Sequence, residues 1–367
     1  MRYVFKKKKY VILFSVLDAL GTVLMLASWI ARRALPFKVD RMLIIRGDHI
    51  GDVIAATVVL EPLREAFPEA TIDFVAPSWA ADILSANPFL DNVIPFDPPW
   101  FDRSAGGPVF DMNGFRELVE LIRKGNYELA IDLRGDFRHI LAMYLAGVRY
   151  RIGYGVTGGG FLLTHMVPYD TKKHETERNA ALLEPLGIEG ETGKVGLFLS
   201  EEDDEKTDIV RREYGIEKDY AVVHPVPGHK AKNWNEYDFA QVVKYVHDDK
   251  GLMPLIVGSE SDGKAAKEIL SLAGVEGVDL SGKTSLATLG WLASGASLFI
   301  GVDSGPSHIA ASTGIPSVIL FSGVNDPEQW APKGDNVRIV YPGEGKDLSW
   351  VTPPQVYKAI DEVLEKR

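Results

Sequence analysis

Arg41-Met42-Leu43-Ile44-Ile45-Arg46-Gly47-Asp48-His49-Ile50-Gly51-Asp52-Val53 decides the fold. A short apolar strand, Met42 to Arg46, runs into a Gly/Asp turn, and an apolar-periodic helix follows from near Val53. A dinucleotide fingerprint needs glycine at position 49, which holds histidine. Two glycines and two carboxylates at a strand end instead give close backbone approach and a candidate general base. The alternative use of Asp52 is to cap the helix.

Outward from that turn, strands alternate with helices. Thr71–Val75, Asn92–Phe96 and Tyr127–Leu133 read as strands, and Trp79–Ala86, Phe137–Ala146 and Glu175–Leu186 as helices. Pro62 must kink or restart the first helix. The Pro/Gly-rich stretch Asp97–Gly114 reads as a long loop, and the charged run Ser200–Lys218 as a hinge that includes a helix. A second series adds strands Tyr220–His224, Met253–Gly258, Val278–Leu280, Ser297–Val302 and Ser317–Phe321. Its helices are Tyr237–His247, Gly263–Ala273, Leu286–Ser294 and a short one from Ser307, and Thr352 and Pro353 start a last amphipathic helix. The reading is therefore α/β, with two doubly wound parallel sheets. Ligands of such sheets sit at the carboxyl ends of strands. The expected divisions are a leader over 1–38, one Rossmann-like domain over 39–205, a second over 206–350 and a terminal helix over 351–367.

Length and charge narrow the function. A chain of 367 residues accommodates two cores. Without cysteine it has no disulfide, no thiolate metal site and no cysteine nucleophile. The net charge of −11 divides into +7 for residues 1–41 and −18 for the rest. An acidic body argues against nucleic acid, whose binding relies on phosphate neutralisation. The basic leader, with the twenty-residue apolar stretch Val11–Ile30, points to an anionic membrane surface. Asp18 near its middle disfavours a span, and Ser15, Asp18 and Thr22 share one stripe that an interfacial helix could keep wet. Both orientations, lying in or crossing the bilayer, remain open at this point.

Two further turns carry chemistry. His224-Pro225-Val226-Pro227-Gly228-His229-Lys230-Ala231-Lys232-Asn233-Trp234 follows a strand, and its lysines suit a diphosphate whose charge grows as it leaves. Gly301-Val302-Asp303-Ser304-Gly305-Pro306-Ser307-His308 runs from a buried strand into a helix start, where backbone amides and the Ser304 and Ser307 hydroxyls offer an anion site. Gly277-Val278-Asp279-Leu280-Ser281-Gly282-Lys283-Thr284 matches the Walker A pattern by letter. Its apolar part is itself the strand, so ATP hydrolysis is rejected there.

Together the GDxxGD opening, the KxW loop at Lys232–Trp234, the SGKTSL segment and DSGPSHIAA resemble glycosyltransferase family 9, the bacterial lipopolysaccharide heptosyltransferase family, over about Arg41–Glu362. The resemblance implies a GT-B fold and inverting transfer of a sugar, without a metal or other cofactor, from a nucleotide-diphosphate donor to a glycolipid or saccharide acceptor. ADP-heptose and a lipopolysaccharide-core acceptor are the implied substrates. Asp52 looks like the base, and Lys232, Asp303, Ser304, Gly305 and His308 like the donor site. Asp48, Gly51, Lys230, Asp262 and Thr284 fill out the donor and acceptor loops, while His174-Glu175 matches a family element without an assigned role. Two features depart from the pattern. Pro62 replaces the usual proline near Val58, and Ser259-Glu260-Ser261-Asp262 stands where relatives carry a glutamate. The expected place is the cytoplasm, at the inner face of the membrane. The competing readings are a GT-B sugar-nucleotide epimerase and a non-catalytic nucleotide-sugar-binding protein.

Overall fold

A computed structural model describes residues 3, 8–24, 38–101, 111–189, 193–217 and 219–365. The chain divides into two compact units, Met1–Val195 and Gly196–Arg367. The latter part of the apolar leader and the middle of the Pro/Gly-rich stretch lie outside the described residues.

The first unit begins with α1 (Lys8–Leu24). It continues with β1 (Arg41–Ile45), α2 (Ile50–Ala56), α3 (Leu60–Ala66), β2 (Thr71–Ala76), α4 (Ser78–Leu84) and β3 (Asn92–Pro95). Then come α5 (Met112–Gly125), β4 (Leu129–Asp132), α6 (Phe137–Leu145), β5 (Tyr150–Gly153), β6 (His165–Met166) and α7 (Glu175–Ala181). The sheet is parallel throughout, in the order β3-β2-β1-β4-β5-β6. Met42 to Ile45 are fully buried, as an apolar central strand covered on both faces must be. No helix among the described residues is long and apolar enough to cross a membrane.

Pro62 restarts the helix as its chemistry requires. α2 ends at Ala56, a 3-10 turn covers Thr57–Val59, and Pro62 falls in the first turn of α3, where a missing N–H is tolerated. In a continuous helix the Val58 carbonyl would accept from residue 62, which has no N–H to give. The Gly193 amide takes that place at 3.1 Å. A side chain at Gly193 would not fit, because its Cβ would lie 2.7 Å from the Val58 oxygen and 2.9 Å from Pro62 Cδ.

The second unit comprises α8 (Glu201–Glu213), β7 (Tyr220–His224), α9 (Glu236–Asp248), β8 (Met253–Ile256), α10 (Gly263–Ala273), β9 (Val278–Asp279) and α11 (Leu286–Ser294). β10 (Leu298–Val302), α12 (Gly305–Ser312), β11 (Ser317–Leu320), α13 (Pro327–Trp330), β12 (Val337–Val340) and α14 (Pro353–Leu364) complete it. Its order, β12-β11-β10-β7-β8-β9, repeats the first sheet's when strands are counted from β7. Thr352 and Gln355 form the capping box of α14, whose Val356, Ile360 and Val363 enter the core beneath β10 and β11. Ser200 caps α8, so most of the run read as a hinge is helix of the second unit.

Candidate functional site

In each sheet the strand order reverses direction between the first and fourth strands, β1 and β4 in one, β7 and β10 in the other. The turns leaving such neighbours diverge and leave a crevice at their carboxyl ends. The three turns marked in the sequence all lie at these two places.

At the first, Arg46 extends from β1 with its guanidinium buried. Its Nε donates to Asp48 Oδ1 at 2.7 Å, and Nη1 donates to Glu175 Oε1 at 2.7 Å and to the Leu133 carbonyl at 3.0 Å. Nη2 lies 3.0 Å from Asp52 Oδ1. One arginine thus holds three carboxylates, from the turn after β1, from α2 and from α7. Burial works against its charge, and Asp48, Glu175 and Asp52 outweigh that and hold it firmly protonated. Glu175 is itself held by Arg178, and the Tyr154 hydroxyl donates to the Arg178 carbonyl. From the turn after β4, Arg134 Nε stands 3.7 Å from Asp48 Oδ2.

Asp48 and Asp52 differ in surroundings. The Asp48 side chain is 7% exposed and that of Asp52 15%. Burial pushes the Asp48 carboxyl up to about 6, Arg46 pulls it down, and the Asp52 charge adds to the rise. Asp52 is not the cap of α2: His49 occupies that position, without a side-chain cap hydrogen bond, because the helix begins three residues earlier than its apolar period indicates. Asp52 lies in the first turn instead, 3.4 Å from the exposed His49 ring. Gly51 precedes it within α2.

At the second place, Lys232 ends a 3-10 turn after β7, and its Nζ is 2.6 Å from Asp303 Oδ2 at the end of β10. Asn325 Nδ2 donates to the same oxygen at 3.0 Å. His224 Nδ1 and the Ser304 hydroxyl are 3.1 Å apart, bridging the same two strands. Burial pushes His224 down to about 4, against the charge of Asp262, so its ring is neutral at neutral pH. Trp234, buried, donates from Nε1 to the Val351 carbonyl at 3.2 Å and anchors the lysine turn. Ser304 is the N-cap of α12, with Gly305 its first residue and His308 in its first turn.

Lys232, Asp303 and Ser304 are therefore brought together, while Lys230 lies exposed on the same turn. Asp262 sits one strand away, closing a capping box with Ser259, and Thr284 stands in the turn before α11. One expectation is corrected: the Ser307 hydroxyl does not face a ligand. It is buried and donates to the Val302 carbonyl at 2.6 Å, as a buried hydroxyl must find an internal acceptor. Val278–Asp279 is the edge strand β9, and α11 starts only after the N-cap Ser285, so the Walker-like letters do not form a strand-to-helix phosphate cradle.

Arg46, Arg134, Glu175, His224 and Asn325 received no role from sequence. Arg46 and His224 were legible as strand-end polar residues, but their partners come from distant segments. Glu175, 129 positions beyond Arg46, had only its unexplained match to a family element.

Two parallel Rossmann-like sheets with polar turns at both points of reversal define the architecture of GT-B glycosyltransferases. The profile of glycosyltransferase family 9 (heptosyltransferase) matches residues 115–353, and the chain belongs to that family and is a glycosyltransferase. It is 30% identical to lipopolysaccharide heptosyltransferase 3 of Escherichia coli (strain K12), over 78% of this chain and 83% of that one. Among solved structures, the glycosyl transferase family 9 protein from Veillonella parvula superposes with a TM-score of 0.79 at 21% identity, covering 91% of this chain and 99% of that one. The E. coli ADP-heptose lps heptosyltransferase II follows with a TM-score of 0.73 at 24% identity, covering 89% and 99%.

Proposed function

We propose that this glycosyltransferase moves a heptose from ADP-heptose onto a lipopolysaccharide-core or related glycolipid or saccharide acceptor. Asp52 takes the proton of the acceptor hydroxyl as its oxygen bonds to the anomeric carbon. The bond from that carbon to the diphosphate oxygen breaks on the opposite face, inverting the centre, and the nucleoside diphosphate leaves with the electron pair. Lys232 neutralises the leaving phosphate, with Asp303 holding the lysine in place beforehand. Ser304, Gly305 and His308 line the donor side, and no metal or other cofactor takes part. Asp48, Gly51, Lys230, Asp262 and Thr284 complete the loops around the substrates. Residues 1–38 attach the enzyme to the anionic inner face of the cytoplasmic membrane, and the catalytic units work in the cytoplasm. On this reading residues 1–38 serve as the leader and residues 351–367 as the C-terminal helix.

The observation that carries the reading is the paired placement at the points of strand reversal: an accessible carboxylate held by Arg46 in one unit, and a lysine held by Asp303 in the other. The names of the relatives support the sugar and the acceptor. The test is a thermal-shift screen of ADP-, UDP- and GDP-sugars followed by product analysis with and without acceptor. ADP-heptose is expected to stabilise the protein, with product formed only when acceptor is present. Turnover of donor into an isomeric nucleotide sugar without acceptor would make it an epimerase. Binding without any turnover would make it a binding protein.

A further inference from the structure

α1 shows an unusual distribution of polarity. Its single strongly polar core position, Asp18, is buried against the protein: Oδ1 accepts from the Gly159 amide at 2.8 Å and Oδ2 from the Tyr3 hydroxyl at 2.7 Å. The Thr22 hydroxyl on the same stripe donates to the Asp18 carbonyl at 2.6 Å. Around that lock the helix packs closely. Phe14 meets Phe137 edge-on with ring centroids 5.1 Å apart, and a Cβ on Gly21 would lie 2.6 Å from the Phe161 ring. Gly158, at φ +94°, leaves room for Phe14 that no side chain there could share.

The opposite side of α1 is apolar and uncovered. Ile12, Val16, Leu20 and Val23 form one row at helical spacing, with Leu13 and Leu17 beside it, all between 43% and 71% exposed. Lys8 and Lys9 are exposed at its start, within a leader of +7. A contiguous apolar ridge beside basic residues is complementary to one kind of partner, a bilayer with anionic headgroups.

We infer that α1 lies along the membrane surface as a fixed ridge of the first unit, its polar stripe locked onto Gly159 and its apolar row set into an anionic phospholipid bilayer. The inference rests on the membrane attachment proposed above and decides its form. A crossing helix would have to tear Asp18 from the Gly159 amide and carry it into hydrocarbon. The receiving loop has a second task. The Thr157 hydroxyl joins the Gly135 carbonyl and the Phe137 amide, on either side of the Asp136 cap of α6, and Arg134 beside them reaches Asp48. The bilayer ridge and the opening turn are thus built on one connected patch, which suits an acceptor that is itself a lipid.

The absence of cysteine from the sequence makes the test direct. Ile12→Cys, Val16→Cys, Leu20→Cys and Val23→Cys, each made in the full chain, carry an environment-sensitive fluorophore. They are mixed at low salt with phosphatidylethanolamine vesicles containing about one quarter phosphatidylglycerol. The expected result is equal, shallow quenching of all four by headgroup-proximal nitroxide lipids, with release of the protein by alkaline carbonate. Val16→Glu combined with Leu20→Glu should weaken vesicle binding at least about tenfold and leave the unfolding midpoint in place. Probe depth running through the bilayer centre from Ile12 to Val23, with resistance to carbonate, would overturn the surface orientation and keep membrane attachment. Unchanged binding by the double-Glu variant would place the contact elsewhere and overturn the ridge. Failure of the unsubstituted full chain to bind these vesicles would overturn both the attachment and this inference.

Discussion

Between β1 and β4, three carboxylates converge on one buried arginine; between β7 and β10, one lysine meets one aspartate beside a neutral histidine. Strand order and placement are the same in the two units. The first turn therefore keeps an accessible carboxylate in a fixed position, with its charge balanced from behind. The second keeps a cation whose counter-ion is the buried carboxylate of Asp303. On the proposed reading, the scaffold supplies the location and two or three side chains decide whether it serves a proton or an anion.

The largest expected break in this contrast is Asp52→Asn. General-base help is worth about 10²–10⁴-fold, so kcat should fall by that order while donor Kd is retained. Asp48→Asn should lose less, and equal activity of Asp52→Asn and the unsubstituted enzyme would remove Asp52 from the base role. Arg46→Met strands three buried or half-buried carboxylates, and should cost about 3–5 kcal/mol in urea unfolding. A loss below about 1 kcal/mol would mean the cluster relaxes to solvent. In the other unit, Lys232→Ala should lower kcat/KM by about 2–4 kcal/mol in transition-state terms, comparable with the loss of one contact to developing charge.

A smaller effect concerns pH. The Asp48 carboxyl is raised from 3.8 to about 6, so the folded protein holds that proton more tightly than the unfolded chain does. Its contribution to unfolding free energy should fall as pH climbs from about 4 to about 6 and level off above. Unfolding of Asp48→Asn across that range should lack this slope; an identical slope would assign it to another group. Lys230→Ala closes the series. As an exposed neighbour on the same turn, it should change kcat/KM by less than about threefold, and a loss matching that of Lys232→Ala would shift the phosphate role or share it.

The sequence made the central frame readable because buried parallel strands are continuous apolar runs, as in Met42–Ile45 and Leu298–Val302. Helices Gly263–Ala273 and Leu286–Ser294 matched their expected ends, the second through its Ser285 cap. The strands β5 and β12 are interrupted by Arg151 and Arg338, and β6 is the pair His165–Met166, so none of them is a continuous apolar run and all three went unread. Met112–Gly125 went unread as well, because its start was absorbed into the Pro/Gly-rich loop, although Asp111 caps it from just outside. Turn residues at strand ends were legible as a list of polar groups. Their mutual geometry was not, since the Arg46–Glu175 and Lys232–Asp303 pairs join segments that only the folded sheet brings together.

The proline of the restarted helix has a consequence for how this chain can vary. Pro62 leaves the Val58 carbonyl without its helical donor, and Gly193 both supplies an amide and leaves room for the proline ring. The two positions are distant in the chain but form one heritable unit. A lineage that replaced Gly193 while keeping Pro62 would meet a clash and a displaced amide. A lineage that first lost Pro62 would restore the internal hydrogen bond and remove the ring, so that the Gly193 segment, no longer needed as donor, could move off the Val58 oxygen and accept a side chain. Substitution here is therefore expected to be ordered, with the proline changing before the glycine, and the pair should vary together among descendants of this enzyme.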